Sequence, residues 1–313
     1  VVTVALTRPE LGATLPEEPG NPSAEGGEGQ RIGSAGRLVL RSFLDNRLAV
    51  VGLALVVGVV LFCFVGPLIY HTNQTASNLN LVNEPPSLVH PLGTDDLGFD
   101  ILGRLMVAGQ SSLEIGFAVA VLATGLGVIW GAISGFLGGV ADAIMMRIVD
   151  TILAIPALFF LLYLASIARP SVPELIVVLA FLSWLGPARL VRGETLSLRT
   201  REYVEAVRVM GGGAGRIVAR HIVPNTIGTI VVNATFQVAD AILVLATLGY
   251  LGLGPPPPAT TWGAMLSNGT NYIFDGYWWQ IYPAGLMIVL TVVAFNFMGD
   301  ALRDALEVRL QRR

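Results

Sequence analysis

The chain has 313 residues, 53% of them hydrophobic and 13% charged, with 36 glycines and a net charge of −3; soluble domains usually carry about 25% charged residues. All 19 basic residues are Arg, which excludes any self-contained site that needs Lys, including the phosphate-binding loop G-x-x-x-x-G-K-[ST]. The single Cys63 excludes an intramolecular disulfide and a multi-Cys zinc site, and His71, His90 and His221 are too far apart in sequence for a ligand pattern.

Residues 1–35 are rich in Glu, Gly and Pro and too poor in apolar side chains to offset their ordering entropy, so they are expected to form a disordered tail. That stretch lacks a basic start and an apolar core, and is not read as a signal peptide. Over 36–47, Arg37, Arg41 and Arg47 alternate with Leu40, Phe43 and Leu44, which predicts a short helix at a membrane surface.

Six apolar segments follow: Leu48 to Ile69, Ile115 to Leu137, Ile148 to Ala168, Pro173 to Leu190, Ile222 to Gly254 and Ile281 to Met298. Each is read as a crossing of about 30 Å of hydrocarbon, the fourth lying partly at the interface. The expected fold is an all-α membrane protein: a first span over 48–70, an outer loop over 71–110, a core of five further spans over 111–310, and a short end at 311–313. With the N-terminus inside, 17 Arg fall on the cytoplasmic side and only Arg104 and Arg169 outside. The positive-inside rule therefore expects both termini in the cytoplasm.

The stretch RTREYVEAVRVMGGGAGRIVARHIVPN, residues 199–225, is too polar to cross a membrane. Tyr203, Ala206, Val207 and Met210 recur at helical spacing, while Arg201, Glu205 and Arg208 line another face. Gly211 to Gly213 are expected to stop that helix, and a second short helix from Arg216 to Ile222 is expected to be broken from the next span by Pro224. The pattern predicts a basic, amphipathic two-helix knob suited to a groove in a partner. As a nucleotide-binding loop the glycines lack a preceding strand and a following acid; a merely long, positive loop is the plainer alternative.

Glu205-Ala206, Gly211 and His221-Ile222-Val223-Pro224-Asn225 resemble the EAA loop of binding-protein-dependent ABC importer permeases, with Val207 and Val223 as mild departures. The blocks HPLGTDDLGFDILGRL (90–105), GGVADAIMMRIVD (138–150), ARLVRGETLSLRTREYVEA (188–206), YLGLGPPPPATTWGAML (250–266) and NFMGDALRDALEVRL (296–310) are similar to the dipeptide/oligopeptide permease family, C-type subunit. The resemblance covers roughly residues 37–310 and implies a type I importer permease fold of six spans in a bacterial inner membrane. It implies four partners besides lipid: a second permease subunit, two ATPase domains that bind ATP and Mg, and an extracytoplasmic substrate-binding protein. No cofactor is implied on this chain, and nucleic acid is not expected as a partner. By the same resemblance, Arg201, Glu205, Ala206, Arg208, Gly211, Arg220, His221 and Pro224 belong to the loop that docks on the ATPase and converts its closure into alternating access. The implied cargo is a di- or oligopeptide, with haem and nickel chelates as alternatives. A secondary transporter would need ion sites that the spans scarcely offer, and a membrane enzyme would need a catalytic constellation not evident in the sequence.

Asn233, Gln237 and Asp240 share one face of the fifth segment. Asp inside a span costs ~2.5–3.5 kcal/mol, so this face either lines a translocation path or bonds to a neighbouring helix. The family commonly has an acid where this chain has Leu245, and an Arg where it has Phe99. Gly93, Thr94, Asp95 and Asp96 are read as capping a helix start, with cation binding by the carboxylate oxygens as the alternative. Trp262, Tyr277, Trp278 and Trp279, beyond Pro255 to Pro258, suit either a headgroup belt or a contact with the binding protein.

Overall fold

A computed structural model of the chain describes residues 43–167 and 171–311. The expected tail, most of the interfacial helix and residues 312–313 lie outside the described residues, as does Arg169. The described residues are all-α, with one isolated bridge, Thr94 to Asp100, as the only strand-like pairing among them.

Helix α1 (Arg47–Phe64) starts where Asn46 Oδ1 accepts the Leu48 N–H at 3.0 Å, a local bond that satisfies one of the unpaired donors of a first turn. A single-turn helix, α2 (Gly66–Ile69), follows. The long helix α3 (Ile101–Leu137) begins at the end of the next loop and ends at Gly138, whose φ of +65° suits only a residue without Cβ. The expected loop over 71–110 therefore closes ten residues early, at Asp100. Arg104, Gln110 and Glu114 depress the hydropathy of the first turns, but Asp100 caps them and the helix extends through them.

Helices α4 (Gly139–Leu153) and α5 (Ala157–Ile167) are bent by 71°, measured to Leu164, across a break at Pro156. Proline disfavours helix in the residue before it, which explains the stop. Helices α6 (Val172–Ser183) and α7 (Leu185–Leu198) are bent by 42° at Trp184. Pro187 sits in the first turn of α7 and cannot donate to the Ser183 carbonyl four residues back. Two short helices, α8 (Glu202–Val209) and α9 (Ala214–Ile217), lead through a π-type turn (Val218–Ile222) into α10 (Val223–Tyr250). Helices α11 (Trp262–Thr270) and α12 (Tyr282–Gln311) are the last among the described residues.

Pro224 does not break the fifth segment as expected. Ala214–Tyr250 runs as one membrane-length stretch of 37 residues. Pro224 lies in the first turn of α10, just past the wider π-type turn, where a missing N–H is tolerated. Among the described residues, four stretches are long and apolar enough to cross a membrane, or up to six if each bent pair is one span. With six, the count matches the expectation from sequence.

The helices pack around α3. A core of Leu105, Leu113, Ile242, Trp262 and Phe295 joins α3, α10, α11 and α12, with Cys63 from α1 buried in it. A second cluster, including Ile115, Val119, Leu175, Leu179 and Leu245, joins α3, α6 and α10. Along one side of α3, Gly127, Gly131 and Gly135 bring its backbone against α7: a Cβ on Gly131 would lie 2.3 Å from the Ala188 carbonyl oxygen. Small residues at four-residue spacing permit this close approach of two helices in a membrane.

Candidate functional site

The segment 199–222 folds as two short helices at one end of the bundle. Gly211, at φ +82°, ends α8 as a left-handed cap. The knob has its own core: Val204, Ile217 and Ile222 are almost fully buried, with Phe136 of α3, Leu198, Val207 and Val218 packed around them. The inward face is thus Val204 and Val207. Tyr203, Ala206 and Met210, which the helical spacing groups with Val207, are exposed instead, and Met210 is 77% exposed. The reason is the return of α9, which approaches α8 from the Val204 side.

Arg201, Glu205, Ala206, Arg208, Gly211, Arg220 and Pro224 are all exposed. His221 is half-buried with its ring centroid 6.5 Å from that of Tyr203. The Arg208 guanidinium lies 5.6 Å from the centre of the Phe136 ring, tying the outer surface of the knob to α3. Asn225 Nδ2 donates to the His221 carbonyl at 2.5 Å. The result is an exposed patch of mixed charge on a packed apolar base.

The structure separates Gln237 from Asn233 and Asp240. Gln237 is buried and its Nε2 donates to the Ser183 carbonyl at 3.4 Å, the acceptor that Pro187 cannot serve. Asp240 is exposed on α10, in line with Leu243, Thr247 and Tyr250, which are exposed as well. Asn233 is half-buried, with its Oδ1 enclosed and unbonded. Leu245 is 1% exposed, so the position where the family commonly has an acid faces the core here.

At the opposite end, Asp100 is the hub. Its Oδ1 accepts the Gly103 N–H at 2.8 Å, and its Oδ2 accepts the Tyr70 hydroxyl at 2.9 Å and meets His90 Nδ1 at 2.8 Å. Burial and the Asp100 carboxylate together push the Tyr70 phenol up to about 12. The helix cap is Asp100 rather than Asp95 or Asp96. Asp95 closes a turn instead, accepting the N–H groups of Leu97 and Phe99 at 3.0 and 2.8 Å, and pairs with Arg104 at 3.6 Å. Arg104 also stacks 4.3 Å over the ring of Phe99, the residue that stands where the family commonly has Arg. Trp262 and Trp279 are buried pins, donating to the carbonyls of Leu105 (3.0 Å) and Thr94 (3.2 Å); Trp278 and Phe274 remain exposed.

Sequence reading missed the joint at the knob end. Arg192 of α7 donates from Nε and Nη2 to the two oxygens of Asp142 in α4, both at 2.6 Å. Ser134 of α3 donates to the same carboxylate, Arg199 donates to the Gly135 carbonyl at 3.0 Å, and Arg189 meets Asp150 at 2.5 Å. Both partners sit within quoted sequence blocks, but they are 50 residues apart, and only the fold pairs them.

Residues 127–312 match the model for the binding-protein-dependent transport system inner membrane component, and residues 34–86 match the N-terminal TM domain of oligopeptide transport permease C. The oligopeptide transport system permease protein OppC of Bacillus subtilis is 42% identical over 270 residues, covering 86% of this chain and 88% of that protein. The OppC of Escherichia coli is 39% identical over 269 residues, 85% of this chain and 89% of its own length. The dipeptide transport system permease protein DppC of Bacillus subtilis is 36% identical over 272 residues, covering 87% and 85%. The chain is therefore a multi-pass inner-membrane protein that belongs to the oligopeptide and dipeptide ABC-importer permease family, of the C type.

Proposed function

We propose that this chain is the C-type permease subunit of an ATP-driven, binding-protein-dependent importer of di- or oligopeptides. The observation that carries the reading is the match to peptide permeases over nearly the whole chain. It is supported by a knob whose exposed residues stand on a core of their own, continuous with α3. In this reading the knob is the EAA loop. Glu205, Ala206 and Gly211 shape the part that enters a cleft of the ATPase, and Arg201, Arg208 and Arg220 supply charge at its rim. His221 and Pro224 set the junction with α10.

The arginine-rich end is then cytoplasmic, as are both termini, and the end carrying Asp100 faces a substrate-binding protein. A second, related permease subunit completes the translocation path. Asp240 and Asn233 line that path, where the carboxylate attracts a peptide amino group; Gln237 does not, because it serves the bend at Trp184. Chemistry on ATP is left to the ATPase partners.

The test is uptake into proteoliposomes holding this chain with its partner permease, ATPases and binding protein, comparing labelled dipeptide, oligopeptide and haem. Peptide uptake that requires ATP and collapses in Glu205→Arg is the expected result. Uptake by this chain alone, driven by an ion gradient and indifferent to that substitution, refutes the reading.

A further inference from the structure

Two breaks interrupt the helices around the knob: the 71° bend between α4 and α5, and the 42° bend at Trp184 between α6 and α7. The segments inside those breaks are bound to one another by unusually direct contacts. Helices α3 and α7 touch backbone to backbone, since a Cβ on Gly135 would lie 2.8 Å from Thr195 Cβ and one on Gly131 would overlap Ala188. The knob core includes Phe136 of α3 and Leu198 of α7. At the corner where α3 turns into α4, Asp142 receives both nitrogens of the Arg192 fork and the Ser134 hydroxyl, although Asp142 is only 8% exposed and Ser134 is fully buried.

A bidentate Arg–carboxylate pair fixes orientation as well as distance. Here it joins α4 to α7, the helix that runs directly into the knob. Helix α3, anchored in the same joint by Ser134, continues without a break for 37 residues to Asp100 at the other end, a length of about 55 Å at 1.5 Å per residue. A displacement of the knob is passed on only by segments that cannot slip against it, and the two bends set α4 and α7 off from α5 and α6.

We infer that Asp142 and Arg192 form the joint that makes the knob, α7, α4 and the adjoining end of α3 move as one body, so that they are positioning residues for transport. This deepens the importer reading and rests on it: motion imposed on the knob by an ATPase reaches α3 and α4 through this pair. An intact joint converts each ATP cycle into a rearrangement of the path. A broken joint lets the knob follow the ATPase while α3 and α4 lag.

The readout is therefore peptide taken up per ATP hydrolysed, measured in proteoliposomes holding the complete transporter. In Asp142→Asn and in Arg192→Gln, complexes that still hydrolyse ATP are expected to lose about fivefold or more in this ratio, the lower range of typical coupling between sites. Arg192→Lys keeps the charge and one bond, and is expected to retain at least about half of the wild-type ratio, as a single charged hydrogen bond retains part of a bidentate one. If Asp142→Asn fails to assemble, the comparison of Arg192→Gln with Arg192→Lys supplies the same ratio. A ratio equal to wild type in the Asn and Gln variants overturns the inference, whether the absolute rates fall together or not at all. Absence of ATP-dependent uptake in the wild-type complex would instead refute the importer reading, so the two failures are distinguishable.

Discussion

Replacing Asp100 by Ala removes a helix cap and a crosslink at once, and the structure allows the loss to be sized. The cap is the bond from the Gly103 N–H at 2.8 Å, and losing an Asp N-cap costs about 1 kcal/mol. The crosslink is the pair of contacts from the Tyr70 hydroxyl at 2.9 Å and His90 Nδ1 at 2.8 Å, which tie the end of α2 and the loop to the start of α3. Hydrogen bonds to a charged group contribute ~1.5–3 kcal/mol each. Tyr70 keeps an alternative acceptor, the Val89 carbonyl at 3.1 Å, so its share is not lost in full. The three contacts share one side chain and are not additive, and the expected total is about 3–5 kcal/mol. Asp100→Asn keeps an oxygen for the cap but turns an amide donor toward the Tyr70 hydroxyl, which retains the Val89 carbonyl, and toward His90 Nδ1, which can accept it. This predicts a cost of about 1 kcal/mol. The assay is unfolding of the purified chain in mixed micelles by titration with a denaturing detergent, with Tyr70→Phe as a third variant. The order expected is Asp100→Ala far below Asp100→Asn and Tyr70→Phe. If Asp100→Ala unfolds within about 1 kcal/mol of Asp100→Asn, the three-way hub is not holding the loop and the reasoning fails.

Two further predictions concern packing inside the bundle. Gly131→Leu places a side chain where a Cβ already lies 2.3 Å from the Ala188 carbonyl oxygen, so it should pry α3 from α7 at a cost of at least ~1–3 kcal/mol, the usual range for overpacking. Gly125→Leu, where a Cβ meets nothing within 4 Å, is the control, and equal destabilisation of the two would refute the close helix crossing. Gln237→Leu leaves the Ser183 carbonyl without its donor and should lower stability by about 1 kcal/mol while leaving the range of peptides transported unchanged. A shift in peptide preference in that variant would return Gln237 to the path.

The apolar segments, four of which stand as membrane-length stretches and two as bent helix pairs among the described residues, and the polar interruption over 199–225 were legible in the sequence because composition and periodicity are local signals. The start of α3 was not, because its first turns mix Arg104, Gln110 and Glu114 with apolar residues, and a side-chain cap rather than hydropathy decides where it begins. Spacing alone placed Val207 on the inner face of α8 but missed Val204, whose burial depends on the return of Ile217 and Ile222 from the next turn. Pro224 was read as a break because proline is disruptive inside a helix, whereas it falls in a first turn beside a π-type turn. Gln237 shared a helical face with Asp240, yet an acceptor freed by Pro187 on another helix drew it inward. The same limit hid Asp142 and Arg192: each stood in a recognisable block, and their pairing is a property of the fold.

Two carboxylates on the long helices bear on what must cover this chain. Gly116 of α3 faces Ile242 and Val238 of α10 so closely that a Cβ there would lie 2.7 Å from the Ile242 side chain. Glu114 is two residues from Gly116, and Asp240 is two residues from both Val238 and Ile242, so at 3.6 residues per turn each points about 160–200° away from the helix crossing. Glu114 and Asp240 are therefore on opposite sides of the α3–α10 pair, and both are exposed. A carboxylate against hydrocarbon at mid-membrane costs ~2.5–3.5 kcal/mol, and one water-filled path cannot serve both sides of the pair. If Asp240 faces the path, Glu114 requires either the headgroup region or a polar group of another protein. With the second permease subunit as that protein, Glu114→Ala should weaken co-purification of the two subunits while the uptake per assembled complex stays near wild type. Asp240→Ala should do the reverse, lowering uptake without loosening the pair. The opposite pattern, with Asp240→Ala separating the subunits and Glu114→Ala abolishing uptake by intact complexes, would exchange the two faces and place the path on the α3 side.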